Sequence, residues 1–348
     1  MRNGWQVTCF LALGVLAHLS GSSLNPQSTA SPSAYHPGSE VSGLIRVWGS
    51  NEMAGVLKKW EDGFCRYQTQ VHFEDHLYGT ASSIAGLYTG VADISLLGRD
   101  IWPIESMAFR SVFSYEPTGI SVATGSYDIP KAAYALVIYV HKLNPLSQLT
   151  MNQLAGIFGV PKGPDGRRIR MWGDLGLTGK WSSVPIHTYQ FDYDNDKSIF
   201  FRRVVFAGRY RWRDSTEEFA NHVNSDGTVT DSGKLILDTL ADDPLGIAVS
   251  NPHYANNQVK AIALSADGKR FVSASKASVQ ENSYPLTRGA WIYINRPLNQ
   301  APERRISEFL RYVLSLQGQK DVAADGTYLP LSENAIEKEL TSMRKWVR

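Results

Sequence analysis

The sequence predicts an α/β protein built from two domains, and three observations carry that reading. Strand-like and helix-like hydrophobic patterns alternate along the chain, as in domains with a mostly parallel sheet flanked by helices. Polar turns with helix-capping residues sit at the joints between them. The 348 residues suffice for two ordinary cores, and no internal repeat of fixed period points to another architecture.

The elements follow in order. A strand over 44–48 runs into Gly49-Ser50-Asn51 and a helix whose inner face is Met53, Val56, Leu57, Trp60 and Phe64. Ser50 or Asn51 caps that helix, with Glu52 in its first turn. A strand over 70–73 comes next, and Gly79 to Ser83 forms a turn opening a short helix with Ile84, Leu87 and Tyr88 inward, stopped by Gly90. Further strands are predicted at 92–97 and 135–140. Thr150 and Gln153 make a capping box before Leu154, Ile157 and Phe158. A strand over 184–189 precedes a helix around 199–206, and later strands fall at 246–249, 259–264 and 290–294. A long helix over 302–316 carries the core stripe Ile306, Phe309, Leu310, Val313 and Leu314.

Composition narrows the function classes. Hydrophobic content of 43% and charged content of 20% describe a globular chain, and a net charge of +2 offers no case for nucleic acid. Arg202, Arg203, Arg209, Arg211 and Arg213 are interrupted by aromatics and read as a solvated face. Arg2, the apolar stretch 7–19 and the small residues Ser20, Gly21 and Ser22 describe a secretory signal peptide over 1–22. A Ser/Pro-rich linker follows over 23–41, so order is expected to begin near Ser42. Cys9 would leave with the signal, and Cys65 alone leaves no intrachain disulfide; it reads as a small buried residue at a helix end.

Catalytic signatures are missing: there is no G-x-S-x-G, H-E-x-x-H or Cys-x-x-Cys. Ser232-Gly233-Lys234 reads as a helix start capped by Ser232, and no dinucleotide fingerprint follows a strand. His72, Glu74, Asp75 and His76 lie on a strand with outward polar residues, whose spacing does not bring all four to one ion, so no metal and no cofactor are expected. The positive signal is a repeated device. Gly49-Ser50-Asn51, Gly79 to Ser83 and Asp194 to Ser198 each join a strand to a helix, where unpaired N–H groups and the helix dipole can hold an anion. In open α/β sheets such loops gather at the carboxyl ends of the strands.

Taken in this order with the chain's ending, these loops resemble the phosphate-binding family of type II periplasmic binding proteins over about 42–331. The carrying segments are Gly49-Ser50-Asn51-Glu52-Met53 with Leu57-x-x-Trp60, and Gly79 to Ser83 with Ile84, Gly90 and Ala92-Asp93-Ile94. Asn152-Gln153-Leu154-x-x-Ile157-Phe158 with Trp172-Gly173-Asp174-Leu175-Gly176 is similar to the family's second-lobe segment. Tyr284-Pro285-Leu286-x-Arg288, then Glu308-Phe309-Leu310-x-x-Val313-Leu314-Ser315 and Gly318-Gln319, complete the match.

The resemblance implies two α/β lobes with a ligand cleft between them. Lobe 1 would be 42–125 plus 286–348 and lobe 2 would be 126–285, with hinge crossovers near 126–133 and 282–288. It implies a periplasmic or otherwise secreted monomer, not an enzyme, that captures phosphate or a related oxyanion and delivers it to an ABC permease. Expected ligand donors are Ser50, Asn51, Thr80, Ser82 and Ser83 from one lobe and Asn195, Lys197 and Ser198 from the other. Arg99 either adds positive charge or braces the loops through an ion pair. The family's third loop is commonly a Gly-Ser-Gly-Thr type of turn, whereas this chain has Asp192 to Ser198 with three carboxylates, which repel a dianion. Lys197 offsets part of that, and the Asp side chains either cap the helix or point to water. Asp100 and Asp196 are the candidates to accept the proton of a monohydrogen oxyanion. Gly98 and Asp100 also depart from the family's usual serine and proline. The alternative is the same fold repurposed as a sensor or partner-binding protein, with Tyr210 and Trp212 either on its contact surface or in its core.

Overall fold

The computed structural model describes residues 32–130 and 135–347, so the expected signal peptide lies outside the described residues. Two five-stranded sheets organise the chain. The first contains β1 (Ser42–Gly49), β2 (Gln70–His76), β3 (Ile94–Leu97), β4 (Thr118–Thr124) and, from far along the chain, β10 (Gly289–Ile294). The second contains β5 (Val137–His141), β6 (His187–Phe191), β7 (Thr216–Phe219), β8 (Gly246–Ser250) and β9 (Val259–Ala261).

Both sheets share one pattern of directions. In the first the order is β2-β1-β3-β10-β4, with β1 parallel to β2 and β3, and β10 antiparallel to both β3 and β4. In the second the order is β7-β6-β8-β5-β9, with β6 parallel to β7 and β8, and β5 antiparallel to both β8 and β9. Each reversed strand is the one the chain enters after crossing from the other sheet. The crossings run side by side: Ala135 bridges Thr287, the Leu136 N–H donates to the Leu286 carbonyl, and the Gly125 N–H donates to the Arg288 carbonyl at 2.6 Å. Reversal places the start of each returning strand at the carboxyl edge of its neighbours, so both crossovers open onto the edges where ligands bind in such sheets.

Helices cover the sheets by the pattern the sequence predicts. In α1 (Ala54–Cys65) Val56, Leu57, Trp60 and Phe64 are buried, and the Trp60 indole N–H donates to the Gly318 carbonyl at 2.9 Å. Cys65 ends this helix as a half-buried free thiol. In α2 (Thr80–Tyr88) Ile84 and Leu87 face inward. The Thr150–Gln153 capping box starts α4 (Met151–Phe158). Among the helices absent from the sequence reading is α3 (Pro103–Phe113), which opens with proline in its first turn and Glu105 bonding back to the Trp102 N–H.

Other elements differ from expectation for identifiable reasons. The helix predicted around 199–206 is a six-residue α5 (Asp196–Phe201) continued by a wider turn, Arg202–Phe206. The helix starting with Ser232, α6 (Ser232–Asp242), is capped by Asp231, whose carboxylate accepts from the Gly233 N–H. The strand predicted over 259–264 splits after Ala261, where Ile262 bonds across to Ile138 and Ala263–Ser265 turns to pair with Gln148–Thr150. The final long helix stops at Val313, giving α7 (Arg304–Val313). Ser315 then caps α8 (Leu316–Asp325), and α9 (Glu333–Arg344) follows. Tyr35, inside the expected 23–41 linker, is buried: its hydroxyl donates to Glu308 at 2.8 Å and its ring meets Tyr67 and Tyr312 edge-on. Aromatic burial outweighs the polar composition around it. No helix among the described residues is long and apolar enough to cross a membrane.

Candidate ligand-binding cleft

Two backbone turns build one wall of the cleft at the carboxyl edge of the first sheet. The chain leaves β1 at Gly49, whose register partner on β3 is Leu96, and the Ser50 N–H donates to the Leu96 carbonyl at 3.0 Å. Gly79 is tied to the same point, its N–H donating to the Gly49 carbonyl. Its φ of 113° is open to glycine, and α2 starts directly after it. The Ser83 hydroxyl lies 2.6 Å from that of Ser95 and donates to the Trp48 and Leu96 carbonyls, pinning α2 to β1 and β3.

Not every expected donor is available to a ligand. The hydroxyl of Ser83 and the N–H of Ser50 are committed to the scaffold. Ser82 donates to the Gly79 carbonyl at 2.8 Å, and buried Ser198 donates to the Phe191 carbonyl at 2.8 Å. Ser83 and Ser198 fasten the loops because a buried hydroxyl without a partner is costly. Asn51 is exposed and Thr80 half-buried. Across the cleft, Asn195 caps α5 by accepting from the Lys197 N–H at 3.0 Å, and the Lys197 ammonium sits 5.2 Å over the Phe191 ring.

The charged centre is the main discovery of the geometry. Arg99, just past β3, is buried and grips Glu105 of α3 with two hydrogen bonds of 2.6 and 2.8 Å, while its guanidinium stacks 3.9 Å over Trp102. Of the two roles left open for it, the brace is the one seen: the ion pair ties the loop after β3 to α3. Arg288, at the start of β10, is brought to the same edge by the antiparallel register that pairs Trp291 with Leu97. Asp196 reaches over from the second sheet. Its carboxylate lies 2.6 Å from the Arg288 guanidinium and 4.0 Å from Arg99 Nε. The expectation that the loop's Asp side chains cap or face water therefore fails for Asp196, because two buried guanidiniums attract it more strongly. Asp194 is exposed.

Arg288, Glu105 and the position of Asp196 were missed as site features. Arg288 was visible as the end of Tyr284-Pro285-Leu286-x-Arg288, but its proximity to Arg99 depends on a pairing between strands almost 200 residues apart. Tyr210 and Trp212 do not form a contact surface: both are buried, with Trp212 stacked on Phe201 and edge-on to Phe206. His76 contacts Glu74 at 2.6 Å and Tyr78 at 2.9 Å along the edge of β2.

Two mixed sheets, linked by paired crossovers that meet at a charged cleft, define a two-lobed α/β binding-protein fold. The structure of PstS from Borrelia burgdorferi is similar, with a TM-score of 0.58 at 16% identity over 83% of this chain and 98% of that one. So is an ABC-type phosphate transport receptor from Vibrio cholerae, with a TM-score of 0.53 at 17% identity over 82% and 99%. In sequence, the chain is 28% identical to the phosphate-binding protein PstS of Pseudomonas aeruginosa over 96% of both chains. No family model matches the chain. The likeness to the phosphate-binding family read from the sequence is thus present across nearly its whole length.

Proposed function

We propose that the chain is an extracytoplasmic solute-binding protein that captures phosphate or a related small oxyanion between its lobes for ABC-type import. The observation that carries this is the convergence of Arg99 and Arg288 with the Ser50 and Thr80 turns at one sheet edge, opposite the Asn195–Lys197 turn. Guanidiniums match the planar edge of an oxyanion, and N–H groups in strand-to-helix turns add donors without added charge. Thr80, Asn51 and Lys197 would supply the adaptable contacts, while Ser50, Ser82, Ser83, Asn195 and Ser198 hold the turns in place. The crossovers expected near 126–133 and 282–288, of which 131–133 lie outside the described residues, would serve as the hinge. The same reading makes the protein a non-enzyme that works as a monomer, is exported by the segment 1–22 and docks on a membrane permease. The names of the similar proteins support phosphate as the first solute to test.

One observation favours the alternative of a repurposed scaffold: Asp196 already stands between the two arginines. Isothermal titration calorimetry of the chain against phosphate, with sulfate and a phosphate monoester beside it, separates the readings. Single-site phosphate binding supports solute capture. A folded protein that gives no heat with any oxyanion has lost that role.

A further inference from the structure

We propose that Asp196 is a built-in anion that latches the lobes together before any ligand arrives and that an incoming oxyanion must displace. The latch stands on the geometry alone; the displacement rests on the oxyanion reading above.

The charge arrangement leads to this. The guanidiniums of Arg99 and Arg288 each have 5% of their side chain exposed, and a buried cation demands a counter-charge. Glu105 answers Arg99, yet Arg99 Nε remains buried with no hydrogen-bond partner and has the Asp196 carboxylate 4.0 Å away. The other Asp196 oxygen reaches Arg288 at 2.6 Å. Arg99, Arg288, Glu105 and Asp196 sum to zero, so this buried centre by itself offers an arriving oxyanion no net positive charge while Asp196 stays in place.

The contact also spans the cleft. Both arginines belong to the first sheet's edge, whereas Asp196 opens α5 behind the second sheet. A second polar contact, Arg203 Nη2 donating to the Ile101 carbonyl at 3.2 Å, crosses nearby without involving the anion position. Asp196 keeps 49% of its side chain exposed, so it can swing into water with little rearrangement when a ligand takes its place. The arrangement makes closure partly independent of ligand and lowers affinity by the strength of the displaced contact.

Asp196→Asn tests this, because it keeps the shape and removes the charge at a half-exposed position. Small-angle scattering of the phosphate-free chain is expected to give a larger radius of gyration for the variant. Raising the salt should expand the wild type toward it, since a half-exposed ion pair is screened. Calorimetry should show phosphate binding to the variant about tenfold more tightly. An unchanged radius of gyration overturns the latch, and equal or weaker phosphate binding by the variant overturns the displacement. If neither chain gives heat with phosphate, the solute reading falls, and scattering alone still decides the latch.

Discussion

Arg99 and Glu105 form a two-point ion pair, at 2.6 and 2.8 Å, that joins the end of β3 to the first turn of α3. Glu105 accepts a third bond from the Trp102 N–H at 2.7 Å, so one carboxylate fixes both the helix start and the cleft arginine. Removing it strands a buried cation. Glu105→Ala is expected to lower unfolding stability by about 3–5 kcal/mol, read from urea denaturation. A loss below about 1 kcal/mol would place this pair with ordinary surface ion pairs and remove its bracing role.

The crossover has its own sensitive point. Gly125 holds φ at 28° and bonds to the Arg288 carbonyl, and a Cβ there would lie 2.3 Å from Val279 Cγ1. Gly125→Ala therefore combines backbone strain with overpacking and should cost about 1–3 kcal/mol. Thermal unfolding checks the loss. An unchanged melting temperature would mean that the crossover adapts freely.

A buried acid sets a pH dependence. Glu61 of α1 shares a hydrogen bond with Asp75, and burial followed by that carboxylate pushes its pKa up from 4.5 to about 8. Below about pH 4.5 the group is neutral whether folded or unfolded. As pH rises toward 8 the unfolded chain loses the proton first, so stability from this group is lost across that window. Glu61→Gln should match the wild type near pH 4 and exceed it by a few kcal/mol at pH 8. Chemical denaturation at the two pH values decides it; parallel curves would show that Glu61 ionises normally.

Trp212 separates core from surface roles in the second lobe. Its ring stacks on Phe201 at 5.1 Å and meets Phe206 at 4.7 Å. Trp212→Ala is expected to cost about 3–5 kcal/mol. A stable variant with an unaltered fold would instead put the ring in a contact surface.

Much of the fold was legible because its signals are local. The period of Val56, Leu57, Trp60 and Phe64, the Thr150–Gln153 capping box and the Gly79 turn depend on residues a few positions apart, and each element formed where those signals stand. Boundaries moved where a distant partner intervened, as when Ile138 drew the Ile262 N–H and broke a strand. Tyr35 shows the same limit, since its partners Gln317 and Glu308 lie more than 270 residues away.

The sequence by itself determined the α/β alternation, the turns that aim N–H groups at one sheet edge and the likeness to phosphate-binding proteins. Those follow from hydrophobic period, capping chemistry and motif order, all properties of neighbouring residues. Only the tertiary structure decided which polar groups are free to meet a ligand and which serve the scaffold. It took the hydroxyls of Ser83 and Ser198 for bracing and delivered Arg288 beside Arg99. It also set Asp196 against both arginines, because the charge balance of a cleft is settled only when distant segments are folded together.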